Sequence, residues 1–159
     1  AEAPPLVTLI DPNDPSLVAP ADMPEALRAL ARASGEPVPE TTAAVVRTAL
    51  ESVAAACRRT VRELEELLGR KLTTIHVVGG GVKNALLCQM IADACGREVV
   101  AGPVEATAIG NLLVQLTATG NAVDLRKIRE VVANSFDLAR YQPSDTAAWN
   151  ARLANASRQ

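Results

Sequence analysis

The run Ile75-His76-Val77-Val78-Gly79-Gly80-Gly81-Val82-Lys83-Asn84 constrains this chain more than any other stretch. Four residues suited to a buried strand lead straight into three glycines, and an apolar-periodic helix follows. A strand that stops at glycines and turns into a helix aims bare backbone N–H groups at whatever lies above the sheet. Those groups, together with the positive end of the helix, suit phosphate. One glycine there would only relieve crowding in a tight turn. Three in a row, at the carboxyl end of a strand, favour a ligand, because open α/β sheets bind ligands at that end.

Two common nucleotide sites do not fit. Asn84 stands where a dinucleotide fingerprint needs its third glycine, and the next strand ends Val99-Val100-Ala101, with no acid for a ribose hydroxyl. No Gly-Lys-Ser/Thr follows the glycines, so the P-loop pattern is absent too, and Lys83 is expected to be solvated.

The surrounding pattern alternates helix and strand. A short strand is possible at 6–10, followed by a turn at Asp11-Pro12-Asn13-Asp14-Pro15, where proline fixes φ and the Asp and Asn side chains bond back to the backbone. A short helix fits 24–33. A long helix fits 42–68, capped by Thr41 or Thr42 and closed by Gly69. Its apolar stripe is read at Val46, Leu50, Val53, Cys57, Val61, Leu64 and Leu68, and its charged residues from Arg58 to Glu66 as a solvated face. Then come a strand at 73–78, a helix at 84–95 ended by Gly96, and a strand at 98–101. Helices follow at 106–119, stopped by Gly120, and at 125–134, capped by Asp124. The tail holds Tyr141 and Trp149 as packing residues and one short helix. Two strands joined through a helix must be parallel. The fold class is therefore α/β, a few parallel strands packed with helices. Residues 1–40 form a proline-rich lead-in and 41–159 the core.

Composition narrows the function classes. Hydrophobic residues make up 48% of the 159 and aromatics 2%, so the core is built from aliphatic side chains and alanine, as in helices packed on a parallel sheet. Sixteen basic and 18 acidic residues are evenly mixed, which leaves no footprint for nucleic acid and no polybasic patch for a membrane. No apolar stretch approaches the roughly 20 residues that span a bilayer. Cys57, Cys88 and Cys95 are an odd number without metal-ligand spacing, and read as buried thiols in a reducing, cytoplasmic compartment. Cys88 and Cys95 lie roughly 10 Å apart along one helix, too far for a disulfide. His76 is expected to be a satisfied core histidine, Glu105 to complement a helix dipole, and Thr107 either to reach a nucleotide or to cap locally.

The stretch from Ile75 through Asn84 to Leu87 resembles the second domain of the FGGY carbohydrate kinases. So does Ala101-Gly102-Pro103-Val104-Glu105-Ala106-Thr107-Ala108-Ile109-Gly110-Asn111. Ile10-Asp11-Pro12-Asn13-Asp14-Pro15 and Gly35-Glu36-Pro37-Val38-Pro39-Glu40-Thr41 bring the match nearest to the branch that phosphorylates L-rhamnulose. The likeness runs over nearly the whole chain in one register. It implies an incomplete actin-like (RNase H-like) ATPase domain. By position, Gly79, Gly80 and Gly81 would lie against the ribose and phosphates of ATP or ADP, and Asn84 would bond to the nucleotide. It further implies that the catalytic aspartate and most of the sugar pocket belong to an N-terminal domain outside this chain, which would work with Mg²⁺. No catalytic or metal-binding residue is then assigned here.

The chain opens on Ala1 and is expected to be the C-terminal part of a longer enzyme, inactive in isolation and prone to self-association through a thin sheet. Two alternatives stand beside that expectation: a kinase of the same family for xylulose, fuculose or glycerol, and a non-catalytic nucleotide-binding or assembly module from a split gene. Whether the reading frame continues upstream into a domain with an aspartate base separates the last from the rest.

Overall fold

Helix boundaries follow from local chemistry at nearly every end. A computed structural model describes residues 3–118 and 124–156. Helix α1 (Met23–Ala33) starts where Asp22 accepts the Glu25 N–H at 2.9 Å, with Pro24 in its first turn. Helix α2 (Thr42–Leu68) starts at Thr41, whose Oγ1 accepts the Ala44 N–H, and stops at Gly69 in the left-handed conformation. Strand β1 (Thr74–Val77) precedes the glycines. Helix α3 (Ala85–Cys95) is capped by Asn84 and closed by left-handed Gly96. Strand β2 (Glu98–Ala101), helix α4 (Ala106–Ala118) and helix α5 (Leu125–Ser135) follow, with Asp124 capping α5 through the Lys127 N–H. The expected stop of α4 at Thr119 and Gly120 lies outside the described residues. Strand β3 (Ala139–Tyr141) and helix α6 (Thr146–Ala156) complete the chain.

The sheet order is β1-β2-β3. Strands β1 and β2 are parallel, pairing Thr74 with Glu98 and Val77 with Ala101, as the helical crossover requires. Strand β3 runs antiparallel to β2, pairing Val99 with Tyr141. The sheet is thus mixed, and three residues of β3 are too few to show a period in the sequence. Val99 and Ala101 of β2, with Ile75 and Val77 of β1, pack on Cys88, Ile91 and Ala92 of α3, Ala54 of α2 and Trp149 of α6. A second cluster joins Ile10, Leu27 of α1 and Val45 of α2, so the proline-rich lead-in packs on the first half of α2. All three cysteines are free, and burial pushes the Cys95 thiol up to about 12.

Four expectations need correction. No strand forms at 6–10. The Leu6, Leu9 and Ile10 N–H groups donate instead to Glu51 Oε2, Glu36 Oε2 and Ser52 Oγ. Leu6 has φ +57°, outside any strand conformation, and side chains of neighbouring segments satisfy this backbone, so it needs no ladder. The stripe on α2 holds only in part: Leu50 and Cys57 are half-buried against the core, as read. Val46, Val53, Leu64 and Leu68 are exposed, and the buried positions are Val45, Thr48, Glu51, Ser52, Ala54, Arg58 and Glu65. Choosing the most hydrophobic residues at helical spacing points away from a stripe held by hydrogen bonds. Among the described residues, no buried side-chain polar atom lacks a partner.

The charged face from Arg58 to Glu66 is accordingly not all solvated, because Arg58 and Glu65 are buried. Finally, His76 is exposed and no core histidine, and β1 is only half-buried, with Val78 beyond it 52% exposed. Strand β1 is an edge of this sheet, and His76 lies on the face opposite Ile75 and Val77.

Glu65 gives this arrangement a pH signature. It accepts from Lys71 Nζ at 2.7 Å, the Leu72 N–H at 2.9 Å and Arg97 at 2.9 Å. Those bonds, the Lys71 one first, lower its pKa from 4.5 to about 2. A carboxylate whose pKa is lower in the folded state stabilises that state fully above its unfolded value. The contribution is lost as pH falls from about 4.5 to about 2. Glu65→Gln should therefore flatten the acid limb of a thermal-stability profile in that window. An unchanged limb would show that other carboxylates set it.

Candidate functional site

The glycines do not turn directly into α3. Gly79–Lys83 form a single 3₁₀ turn, and Asn84 follows as the helix cap. Gly79 has φ +78°, a left-handed conformation that β-carbon-bearing residues avoid. Its N–H donates to Pro103 O at 3.3 Å, and Gly102 N–H donates back to Val77 O at 2.9 Å. The glycine turn and the loop after β2 are thereby joined at the carboxyl end of the two parallel strands. Gly102 has φ +122°, and a β-carbon there would come within 3.0 Å of Leu138 Cδ2. The Gly102–Pro103 peptide bond is cis.

Gly80 differs from both. Its φ is not left-handed, and a β-carbon built on it meets nothing within 4 Å. At Gly81 only Val77 Cγ1 lies near, at 3.9 Å. The chain itself thus sets no requirement for glycine at 80, and the turn presents bare, exposed backbone there. The N–H groups that open such a turn have no acceptor within it.

Asn84 is half-buried, and its Oδ1 accepts the Leu87 N–H at 3.0 Å. Its amide NH₂ has no acceptor among the described residues, so two donors remain for a ligand. Lys83 is exposed, as expected, and the structure pairs it with no carboxylate among the described residues.

A cavity of about 400 Å³ lies beside the turn, lined mainly by Val82, Pro103, Val104, Ile109 and Phe136, with Lys83 and Glu105 also on its wall. An apolar pocket with a few polar groups is the usual form of a small-molecule site. Gly79 to Gly81 and Asn84 thus lie together in one turn next to it. Thr107 is exposed in the first turn of α4 and does not line the cavity. His76 joins no group of ligands, and no set of three His, Cys, Asp or Glu among the described residues is placed to hold a metal ion. Sequence reasoning missed the wall made by Val104 and Phe136. The available signal was that the chain's single phenylalanine falls just past a helix end, outside every apolar stripe.

Residues 1–119 match the family model described as the C-terminal domain of the FGGY family of carbohydrate kinases. The chain belongs to the FGGY family. Among its relatives, this FGGY chain is 44% identical to a rhamnulokinase of Bacteroides thetaiotaomicron over 147 residues, which cover 92% of this chain and 30% of that protein. It is 42% identical to a rhamnulokinase of Pectobacterium atrosepticum over 88% of this chain and 28% of that protein. The FGGY chain thus spans under a third of the length of these relatives. The crystal structure of a xylulose kinase from Rhodospirillum rubrum superposes with a TM-score of 0.57 at 20% identity, over 78% of this chain and 25% of that one. That likeness concerns the fold alone, an α/β arrangement of helices on a small mixed sheet.

Proposed function

We propose that this chain is the nucleotide-binding portion of an ATP-dependent sugar kinase, whose reaction converts ATP and L-rhamnulose to ADP and L-rhamnulose 1-phosphate. The observation that carries this reading is Gly80. It is an exposed glycine in the turn after a parallel strand, where neither φ nor packing asks for glycine and a β-carbon would occupy open space. The sugar is that of the two rhamnulokinase relatives, at 44% and 42% identity. The xylulose kinase likeness, at 20% identity, speaks only to the fold.

In this reading the backbone at Gly80 and Gly81 lies against the ribose and phosphates, the Asn84 amide donates one hydrogen bond, and the apolar cavity takes the base. Bound ATP supplies the phosphoryl group, and this chain's residues orient it and exclude water. Phosphoryl transfer depends on such positioning together with charge neutralisation and a carboxylate base. No three His, Cys, Asp or Glu side chains are grouped among the described residues to hold a metal ion, and in this reading Mg²⁺ would be held together with residues beyond this chain. The base and most of the sugar contacts are assigned to sequence beyond this chain. Free thiols support a reducing, cytoplasmic setting.

The test has two arms. The chain should bind ADP by calorimetry and give no turnover in a coupled ADP-release assay with ATP, Mg²⁺ and L-rhamnulose. Turnover above the enzyme-free control would overturn the assignment of the base elsewhere. The unpaired edge of β1 and the exposed stripe at Val46, Val53, Leu64 and Leu68 also support self-association of the isolated chain. Light scattering that returns a monomer at high concentration would exclude it.

A further inference from the structure

Arg58 is a buried cation whose hydrogen-bond partners carry no formal charge. It lies on α2 and is only 8% exposed. Its guanidinium donates to Ala94 O at 2.8 Å and to Asn150 Oδ1 at 2.7 Å. No carboxylate forms an ion pair with it among the described residues. The carbonyl end of α3 offsets part of the charge, since Ala94 lies in its last turn. The remainder is costly, because removing a charge from water is repaid only by close opposite charge and saturated hydrogen bonding. Burial first, then repulsion from Arg62 and Arg97, pulls the guanidinium below its ordinary pKa.

The space in front of Arg58 is also cationic. A cavity of about 310 Å³ opens there, with Arg62, Lys71 and Arg97 on its wall and Glu65 as the one carboxylate. Both oxygens of Glu65 are already engaged, Oε2 by Lys71 and Oε1 by Arg97 and the Leu72 N–H. Arg62 is exposed and makes no ion pair among the described residues. Four cations therefore surround one carboxylate that two of them already share. Thr146, the first residue of α6, stands on the wall as well.

This cavity is far from the glycine turn by topology. Arg97 immediately precedes β2, whereas Gly79 follows the end of β1, and the two strands are parallel. The sites therefore lie at opposite ends of the sheet.

We propose that the Arg58–Arg62–Lys71–Arg97 cavity binds a phosphate-bearing small anion, either free phosphate or the phosphomonoester of a small organic molecule. Guanidinium groups recognise phosphate through paired N–H donors, and Arg58 and Arg62 bring such groups to one cavity without a carboxylate of their own. The volume exceeds what phosphate alone requires and suits a phosphate with a small organic body. This assignment is independent of the nucleotide reading.

Thermal unfolding of the whole chain, followed by circular dichroism, tests it. Inorganic phosphate and glycerol 3-phosphate are titrated separately, each against potassium chloride of matched ionic strength. The melting temperature should rise and saturate with one or both anions beyond the chloride control. Tighter binding of glycerol 3-phosphate assigns the phosphomonoester, and equal binding assigns free phosphate. Arg62→Gln should weaken the affinity by about tenfold or more, and Arg62→Lys should retain most of it. Arg62 is exposed and unpaired, so neither variant should disturb folding. Lys83→Gln, at the other end of the sheet, should leave the response unchanged. A rise no larger than that in chloride overturns the proposal. So does a rise that survives Arg62→Gln, or one that Lys83→Gln removes.

Discussion

Trp149→Ala is expected to cost about 3–5 kcal/mol of folding stability, the usual range for truncating a buried Trp or Phe. Trp149 is 4% exposed and is the one fully buried aromatic among the described residues, in a core of small and aliphatic side chains against which Tyr141 also packs. It shares one buried cluster with Ala54 of α2, the buried face of α3, and Val99 and Ala101 of β2, and α6 packs on α3. Removing it opens a void among elements held apart by their own hydrogen bonds. Arg58 fixes Asn150 against the end of α3, and Arg152 holds Leu6 O and Glu36. These ties prevent α6 from collapsing freely into the space. A domain of this size is stable by about 5–15 kcal/mol, so the variant should lose about a fifth or more of its margin. Urea unfolding followed by circular dichroism measures the change, and Trp149→Phe should recover much of it. A cost below about 1 kcal/mol would mean that α6 is not part of the core.

Helix ends were the most legible part of the sequence. Thr41, Gly69, Gly96 and Asp124 act through short-range backbone chemistry, and each does in the structure what its type implies. The parallel pairing of β1 and β2 was legible for the same reason, since a helical crossover of that length leaves no antiparallel option. Burial was less legible. The buried stripe of α2 contains Thr48, Glu51, Ser52, Arg58 and Glu65, and the partners of the last four lie 4 to 92 positions away in the chain, most of them outside α2. Hydrophobic periodicity cannot register a stripe whose burial depends on distant partners. The segment 6–10 looks like a strand, yet Leu6 has φ +57° and the groups that satisfy the Leu6, Leu9 and Ile10 N–H donors sit at Glu51, Glu36 and Ser52. His76 was misplaced because alternation in β1 reveals two faces and not which of them is covered. At the candidate site the glycine run was conspicuous, but its division of labour was not. Gly79 and Gly102 serve left-handed backbone, whereas Gly80 serves nothing within the chain. That distinction depends on φ and on neighbouring atoms, neither of which composition records.

Gly80→Val is expected to weaken ADP binding by at least about tenfold, or roughly 1.4 kcal/mol, while leaving the fold intact. The two halves of this prediction have separate grounds. Folding is spared because Gly80 has ordinary φ and its β-carbon would meet no atom within 4 Å. Helix content and melting temperature should therefore match the parent. Binding suffers because the branched side chain fills the space that brings bare backbone to the ligand. The same substitution at Gly79 would confound the two effects, since φ there is +78°. Lys83→Ala should change affinity least, because Lys83 is an exposed, unpaired side chain on a turn and not a P-loop lysine. Asn84→Ala should fall between them, losing one polar contact worth about 0.5–1.5 kcal/mol. It should also lower stability by about 1 kcal/mol, because Asn84 Oδ1 caps α3 through the Leu87 N–H. That stability loss identifies Asn84→Ala independently of any ligand, so calorimetry and melting curves on the three variants resolve cap from contact. If Gly80→Val bound ADP as the parent does, or Lys83→Ala were the most damaging, the phosphates would not lie on the glycine turn.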